Sequence, residues 1–395
     1  MNRGCVSVLA AFWVLLCGTR SARSDNVEEL VRKLRPQRSG IQIAFGRILQ
    51  QPQVAVDRKG RIHVVCGGRD TVYYAASADG GATCDPLLAA FDCRNLSLGR
   101  RRGPRIAVSD GTVVVTAIGG EKGKGQDGDL QAWRREENGR WSGPVRVNDV
   151  AGSAREGLHG MASGPDGTIW CVWLDLRDKG TSVYGARSSD GGRTWGENVL
   201  VYRSPGKSVC ECCHPSVAVG PENHVAVLFR NSIGGNRDMF VTRSIDGQTF
   251  DAGKPVAVRN WKLAACPMDG GMLALSPGGD EAWAIYRREQ KVYLTAFQGD
   301  AVADGKAGAR EEELLGSGDQ PTVTALTSGP LSVWTNSGDL MIREPGDENS
   351  RRLAQGARFP SAASDPSGQL AAVVWEQAEQ ELSAIRLEVF PAVRR

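Results

Sequence analysis

Short apolar runs separated by turn residues recur along most of the chain at a nearly constant interval. Each repeat opens on a similar phrase, such as Pro-Gln-Val-Ala-Val from residue 52 or Pro-Ser-Val-Ala-Val from residue 215. The phrases begin at Pro52, Pro104, His159, Pro215, Pro267, Pro321 and Pro360. In most repeats a turn and a second apolar run follow, and a third alternating run comes next. Short strands at this period are typical of four-stranded blades around an axis, so the pattern predicts an all-β chain folded as a β-propeller.

The count of blades follows from the count of phrases. Seven phrases predict seven blades, with a six-bladed ring as the alternative if one phrase is misassigned. The last phrase has room for only three strands before Arg395, and the run Ile41–Phe45 lies ahead of the first phrase. We expect this N-terminal strand to complete the last blade, because joining the two chain ends leaves no sheet edge open. The propeller is therefore predicted to span residues 41–395.

The first forty residues follow a different pattern. Residues 1–24 combine Arg3, a run of about twelve mostly apolar residues and small residues before position 24, which is typical of a secretory signal. That run is too short for a bilayer span of roughly twenty residues, so we expect export without a transmembrane segment. Residues 25–40 are predicted to form a cap helix or linker, since four apolar residues lie at helical spacing: Val27, Leu30, Val31 and Leu34.

Composition narrows the range of partners. The chain has 395 residues with net charge +3, and without the three arginines of the signal Lys+Arg and Asp+Glu are both 45. A neutral mature chain gives no broad basic field, so nucleic acid is not an expected partner. Glycine, at 49 residues, is abundant without the three-residue period of collagen.

Eight cysteines remain after the signal, an even number that suggests disulfides in an exported protein. Cys210, Cys212 and Cys213 lie directly before His214, so the cluster also offers ligands for zinc or copper. His214-Pro215 and Cys266-Pro267 occupy equivalent places in consecutive phrases. We therefore favour a disulfide from this cluster to Cys266, across a blade boundary, over a metal site.

The third run of several repeats ends in one sequence. It reads Ser-Ala-Asp-Gly-Gly-Ala-Thr-Cys from residue 77, Ser-Ser-Asp-Gly-Gly-Arg-Thr-Trp from 188 and Ser-Ile-Asp-Gly-Gln-Thr-Phe from 244. This resembles the Asp-box, or bacterial neuraminidase repeat, and identifies the chain as similar to the sialidase-like superfamily over residues 51 to 390. The resemblance implies that the box aspartates Asp79, Asp190 and Asp246 are structural, because these boxes lie at the blade periphery.

Polar residues that flank the first and second strands of each blade are the candidates for chemistry, because they lie near the central mouth. Arginines from several blades recur at these positions and predict a cluster that binds a carboxylate through bidentate contacts. The predicted substrate-binding residues are Arg102, Arg177, Arg230, Arg287 and Arg358.

The resemblance implies a chemistry for this cluster. Family sialidases hold a sugar carboxylate with three arginines, use an aspartate as acid and base, and attack with a tyrosine assisted by a glutamate. Asp175 and Glu376 are the matching acid candidates and Tyr286 the candidate nucleophile. Arg102 and Arg358 keep only the Arg-x-Pro part of the family's first arginine motif. The function so implied is an exported exo-sialidase-type glycoside hydrolase acting on a terminal acidic sugar, with no cofactor and no metal.

Alternatives remain at each of these positions. Asp175 and Arg177 are also spaced to form an ion pair within one blade, and Tyr286 also fits a buried strand aromatic. Sialidase-like propellers need not be enzymes, because a fold does not fix an activity. The second hypothesis is therefore a non-catalytic propeller that binds a glycan or a protein at the same face.

Overall fold

The computed structural model describes residues 40–46, 49–257, 259–298, 312–379 and 382–392. The predicted signal and, but for Gly40, the predicted cap helix lie outside these residues. Within the described ranges regular structure is β-strand apart from one short 3-10 helix, Pro221–Asn223. No helix among the described residues is long and apolar enough to cross a membrane.

The strands form seven antiparallel sheets of four, each one blade. Blade 7 takes its outer strand from the N-terminal end, β1 (Ile41–Gly46). Blade 1 consists of β2 (Gln50–Val56), β3 (Ile62–Gly68), β4 (Thr71–Ser77) and β5 (Leu88–Asp92). Blade 2 consists of β6 (Arg105–Ser109), β7 (Thr112–Gly119), β8 (Asp129–Arg135) and β9 (Trp141–Arg146). Blade 3 consists of β10 (His159–Ser163), β11 (Ile169–Asp175), β12 (Ser182–Ser188) and β13 (Val199–Tyr202).

The second half of the chain repeats the same plan. Blade 4 consists of β14 (Ser216–Val219), β15 (Val225–Arg230), β16 (Met239–Ser244) and β17 (Lys254–Pro255), and blade 5 of β18 (Met272–Leu275), β19 (Glu281–Arg288), β20 (Lys291–Gln298) and β21 (Glu313–Ser317). Blade 6 consists of β22 (Asp319–Leu326), β23 (Gly329–Asn336), β24 (Asp339–Arg343) and β25 (Arg351–Gln355). Blade 7 consists of β26 (Ala357–Ser364), β27 (Leu370–Glu379) and β28 (Leu382–Pro391), together with β1.

The ring closes as the sequence predicts. The last blade has the order β1-β28-β27-β26, and β1 pairs with β28 in antiparallel fashion, with Ile41 opposite Leu387. The first strands of successive blades contact one another in chain order, and β26 also contacts β2. The seven-bladed count is confirmed, and the six-bladed alternative is excluded.

The core is a series of apolar layers between adjacent blades. The layer between blades 3 and 4 joins Trp170 and Val172 of β11 to Val227 and Phe229 of β15, all of them fully buried. Second strands such as β11 are buried along their whole length because blades cover them on both faces. Each such side chain contributes about 1.5–3 kcal/mol of burial free energy, so the ring is held by its blade interfaces.

The turns that contain Asp79, Asp190 and Asp246 join the third and fourth strands of their blades and lie against the preceding blade. In the last of them, Asp246 accepts hydrogen bonds from the backbone N–H groups of Gln248 and Thr249 at 2.8 and 2.9 Å. These bonds lower the pKa of the Asp246 carboxyl to about 2. Gly247 has a φ of +68°, and a Cβ there would lie 2.7 Å from Trp170 of the preceding blade. Glycine is required because the turn needs both positive φ and close approach.

Candidate functional site

A central channel runs between the first strands of all seven blades, with a volume of about 930 Å³. We call its two ends the upper face, where the chain leads into each first strand, and the lower face, where first and second strands are joined. At the lower face the channel is lined by exposed residues such as Arg58 and Asp110 and opens to solvent. The upper end is lined by the buried side chains of Arg101, Arg105 and His214.

One arginine closes the upper end. Arg101 lies in the loop between blades 1 and 2, and its Nε donates to Asp269 Oδ1 at 3.0 Å in the loop between blades 4 and 5, on the opposite side of the ring. Its Nη2 donates to the carbonyl of Pro321 at 2.8 Å. Arg101 is 8% exposed and Asp269 is fully buried. The ion pair therefore spans the upper end of the axis and is itself almost wholly buried.

Backbone bulges at the upper end are capped by side chains of neighbouring blades. Gln51, Gln320 and Phe359 each have positive φ directly before a proline. The Gln51 N–H donates to Glu376 Oε1 at 2.7 Å, and the Gln320 N–H donates to Asp269 Oδ2 at the same distance. Each carboxylate thus satisfies a buried donor that the bulge leaves out of the sheet.

Glu376 lies with Arg358, another of the predicted site residues. Arg358 Nε donates to Glu376 Oε2 at 2.7 Å, and the Arg358 side chain is half exposed at the upper face. Burial raises the pKa of the Glu376 carboxyl, although the bonds from Gln51 and Arg358 oppose that rise. The structure therefore brings one predicted acid and one predicted arginine together at the seam between blades 7 and 1.

Asp175 and Arg177 form a pair inside blade 3. Arg177 Nε and Nη2 donate to the two Asp175 oxygens at 2.9 and 3.0 Å. Asp175 also accepts hydrogen bonds from Trp173 Nε1 and Ser153 Oγ, each at 2.7 Å. Arg177 lies over the Tyr184 ring at 4.0 Å and also pairs with Asp149 at 2.8 Å. The carboxylate is saturated by its own blade and the adjoining loop, which is the arrangement of a structural ion pair.

Tyr286 lies in the buried interface between blades 4 and 5, away from the residues that line the channel. Its hydroxyl donates to Glu312 and lies 3.2 Å from Thr295 Oγ1, while Arg288 pairs with the same glutamate. Burial, reinforced by Glu312, raises the pKa of the Tyr286 hydroxyl far above its ordinary value. A tyrosine–glutamate pair is thus present, but its hydroxyl stays protonated.

Arg230 and Arg287 meet at the upper end of blades 4 and 5. Arg230 is 2% exposed, and its acceptors among the described residues are all backbone carbonyls, those of Asp269, Arg237 and Arg287, at 2.7–3.2 Å. Trp261 lies near both guanidinium groups, at 5.2 Å from Arg230 and 5.9 Å from Arg287. Arg230 is therefore enclosed by carbonyl groups and indole rather than open to a ligand.

Arg102, the remaining predicted arginine, is half-buried. Its Nε donates to the carbonyl of Glu156 at 2.8 Å, so it joins the loops that lead into blades 2 and 3. The five predicted arginines therefore do not converge on one point. Arg102, Arg177 and Arg358 each make a contact at a different place in the ring. Arg230 and Arg287 lie together at a fourth place, beside Trp261.

Arg105 is the cation that sequence reasoning missed. It is 8% exposed, and it donates through Nη1 and Nη2 to backbone carbonyls of residues 101–104, the shortest at 2.7 Å to Arg101. In the part of the chain that the structure describes, no carboxylate pairs with Arg105 and no acceptor contacts its Nε. Burial, together with Arg101, lowers the pKa of the Arg105 guanidinium to about 9. It retains its positive charge at neutral pH.

The sequence does contain a pattern that marks the residues lining the channel. The residue after the opening proline of a phrase faces the channel in five blades: Gln53, Arg105, Ser216, Thr322 and Ser361. Four of the five are neutral hydrogen-bonding residues, and Arg105 is the only charged one. The position after the opening proline therefore marks the channel wall. It is easily missed, because the residues that the phrases share are the apolar ones that follow it.

The predicted cysteine bridge is present. Cys212 and Cys266 form a disulfide with 6.3 Å between Cα atoms, and it joins the loops on either side of blade 4. Cys210 and Cys213 remain thiols and are buried. Among the described residues, the one group of three or more potential metal ligands is Cys210, Cys212 and Cys213. With Cys212 in a disulfide only two thiolates are left, which is too few for the usual zinc site.

Comparisons with known proteins identify a fold. No family model and no curated protein matches the chain. A protein of unknown function from Dyadobacter fermentans has 15% identity and a TM-score of 0.52, and the match covers 89% of this chain and 98% of that one. Together with the seven blades, this similarity confirms the expected β-propeller fold.

Two structures of enzymes are similar at a lower level. The NanB sialidase of Streptococcus pneumoniae has 12% identity and a TM-score of 0.45, with 91% of this chain and 71% of that one covered. The Penicillium chrysogenum α-L-arabinanase, solved with arabinobiose, has 12% identity and a TM-score of 0.48, with 90% and 98% covered.

Proposed function

We propose that the protein binds an anionic carbohydrate in its central channel, with the sugar carboxylate at Arg105. The observation that carries this proposal is the buried Arg105 guanidinium, which has no carboxylate partner among the described residues and an Nε–H without an acceptor. A buried cation that has carbonyl acceptors but no counter-charge costs free energy, which an anionic ligand recovers by forming a charge-assisted pair. Arg101 lies beside it but is already committed to Asp269.

The channel wall suits sugar hydroxyl groups. Serine and threonine line it from several blades and alternate with small apolar residues, as at Ser216, Thr322, Thr324, Ser361 and Ser364. The Thr322 hydroxyl has no hydrogen-bond partner among the described residues, so it is available to form a hydrogen bond with a ligand at the upper end of the channel. A volume of about 930 Å³ lies within the usual range of small-ligand sites. Because Arg101 closes the upper end, the ligand enters from the lower face.

Hydrolysis by a sialidase-like mechanism is the second candidate. The favouring observation is the Arg358–Glu376 pair at the upper face, where burial raises the pKa of a glutamate beside a half-exposed arginine. A carboxyl with a raised pKa is suited to general acid catalysis. Under this proposal the protein is an exported exo-sialidase-type hydrolase, with Glu376 as the general acid and Arg358 as the substrate-binding arginine beside it.

Binding is tested by calorimetric titration with N-acetylneuraminic acid, galacturonic acid and neutral galactose. We expect an acidic sugar to bind and galactose to bind at least tenfold more weakly. Arg105→Gln should weaken binding of the acidic sugar by at least tenfold, whereas the matched change at the upper face, Arg358→Gln, should leave it unchanged. Equal affinity for acidic and neutral sugars, or loss of binding only in Arg358→Gln, would contradict a carboxylate at Arg105.

Hydrolysis is tested separately with a fluorogenic sialoside. Turnover by the native chain that is abolished in Glu376→Gln, with the melting temperature preserved, would favour the second candidate. No turnover across sialosides and uronosides, together with measurable binding, would leave the channel-binding function as the account of the protein.

A further inference from the structure

Four cysteine sulfurs lie together at the upper end of blade 4. Cys210 Sγ is 3.4 Å from Cys213 Sγ and 3.6 Å from Cys212 Sγ, and Cys212 is bonded to Cys266. Cys212 and Cys213 sulfurs are 4.0 Å apart. Every sulfur is therefore either bonded to the next or in van der Waals contact with it.

The cluster has an exposed layer and a buried one. Cys266 is exposed and Cys212 is half-buried, so the disulfide can be reached from solvent, while Cys210 and Cys213 lie fully buried below it. Cys210 and Cys213 have the Cys-x-x-Cys spacing at which two thiols readily form a disulfide. The oxidised pair, Cys212 and Cys266, thus lies against the reduced pair, Cys210 and Cys213. The Cys210 sulfur contacts the sulfurs of both Cys212 and Cys213.

The surroundings favour a thiolate at Cys210. Its backbone N–H donates to the Arg230 carbonyl at 2.9 Å, which fixes the loop against β15. The Cys213 thiol and the Arg230 and Arg237 guanidinium groups stabilise negative charge on the Cys210 sulfur. The thiolate is the form that attacks a disulfide, so the attacking sulfur already lies beside its target at Cys212.

We propose that these four cysteines form a thiol–disulfide exchange site in which the Cys210/Cys213 dithiol reduces the Cys212–Cys266 disulfide. Cys210 thiolate attacks Cys212 Sγ, so the Cys210–Cys212 bond forms, the Cys212–Cys266 bond breaks, and Cys266 leaves as a thiolate that takes up a proton. The Cys213 thiol then loses its proton and attacks Cys210, and Cys212 leaves as the second thiolate. Two electrons pass to the surface pair, one disulfide is consumed and one is formed.

The exchange changes what the surface offers. Its product is a Cys212/Cys266 dithiol at the upper face, which can reduce an external disulfide of a small molecule or a protein. The covalent link between the loops on either side of blade 4 is lost at the same time. Asp269, which holds Arg101 across the axis, lies three residues after Cys266, so the loop that closes the channel is released from its bridge.

The test is disulfide mapping of the full native chain, kept at pH 7.5 under argon without added thiol or disulfide, then quenched with acid, alkylated and digested. Both isomers should be found, Cys212–Cys266 and Cys210–Cys213, in the same preparation. Cys213→Ser should instead accumulate Cys210–Cys212 with Cys266 alkylated, and Cys210→Ser should hold Cys212–Cys266 alone. Cys171→Ser, at a buried thiol in β11 of blade 3, is the control and should map like the native chain.

Three results would overturn the proposal. One is a native chain with Cys212–Cys266 alone and both other thiols free, and another is a chain with both pairs permanently oxidised. The third is one bound zinc or copper per chain, found by elemental analysis together with four reduced cysteines. The mapping of the native chain decides among these even if a variant fails to fold.

Discussion

Arg101 Nε lies 3.0 Å from Asp269 Oδ1, and the bond between them crosses the axis of the propeller. The two residues are separated by 168 positions and belong to loops on opposite sides of the ring. Asp269 also accepts the buried N–H of Gln320, so one carboxylate joins two loops and the start of β22 at the upper end. This contact spans the upper end of the channel.

Removing Asp269 should therefore be costly. Asp269→Ala leaves the buried Arg101 guanidinium without its counter-charge and the buried Gln320 N–H without its acceptor, and we expect the free energy of unfolding to fall by about 3 kcal/mol. Asp110→Ala is the matched control, because the Arg58–Asp110 pair is exposed on both sides and worth less than about 1 kcal/mol. Urea denaturation of both variants measures the difference, and equal losses would contradict a buried bridge.

Gly247→Ala should destabilise the ring at the seam of blades 3 and 4. The new methyl group would lie 2.7 Å from Trp170 Cζ2 at a φ of +68°, so both backbone strain and overpacking oppose it. We expect a loss of about 2–3 kcal/mol. Gly234→Ala, at φ +59° with no atom within 4 Å, carries the strain alone and should cost about 1 kcal/mol. Thermal unfolding that ranks the two variants in reverse order would refute the close-packing explanation.

Asp175→Asn should affect stability and leave ligand binding unchanged. The carboxylate accepts hydrogen bonds from Ser153, Trp173 and Arg177 while fully buried, so we expect unfolding to become easier by about 3 kcal/mol. Asp178→Asn, which loses only the exposed pair with Arg203, should cost less than about 1 kcal/mol. A variant that kept its stability but lost turnover of a sialoside would restore Asp175 as a catalytic acid.

The Cys210 thiol should titrate well below an ordinary cysteine. The hydrogen bond from Cys213, followed by the charges of Arg230 and Arg237, lowers the pKa of the Cys210 thiol to about 6. Thiolate absorbance near 240 nm should therefore rise through pH 6 in proportion to the share of chains that carry the Cys212–Cys266 disulfide, and Cys210→Ser should remove that step. Arg237→Gln should move the midpoint upward. A step near the ordinary pKa of about 8.5 would show that these groups do not stabilise the thiolate.

Much of the architecture can be predicted from local patterns in the sequence. The opening prolines and the Asp-Gly turns mark blade after blade because strand length and turn geometry depend on adjacent residues, and Ile41–Phe45 was identifiable as the missing strand because the last blade was one short. The bond to Cys266 followed from its place in a phrase equivalent to that of His214.

The site could not be predicted in the same way. Arg230 and Arg287 occur where a ligand-binding arginine is expected, but the acceptors of Arg230 are backbone carbonyls, which every residue carries and no sequence pattern reveals. Arg101 finds Asp269 only after the ring has closed. Arg105 becomes conspicuous because it lines the channel and no carboxylate pairs with it among the described residues, which is a property of the whole channel rather than of its own segment.

Pairing of β1 with β28 has a consequence for the order of events during synthesis. Blades 1 to 6 each consist of contiguous chain and can form as soon as their four strands have left the ribosome, whereas β1 must wait for a partner more than three hundred residues downstream. Such a distant contact is slow to form. Until it does, β1 has no partner and β28 has one free edge, and this is the interval in which we expect a chaperone to bind the chain.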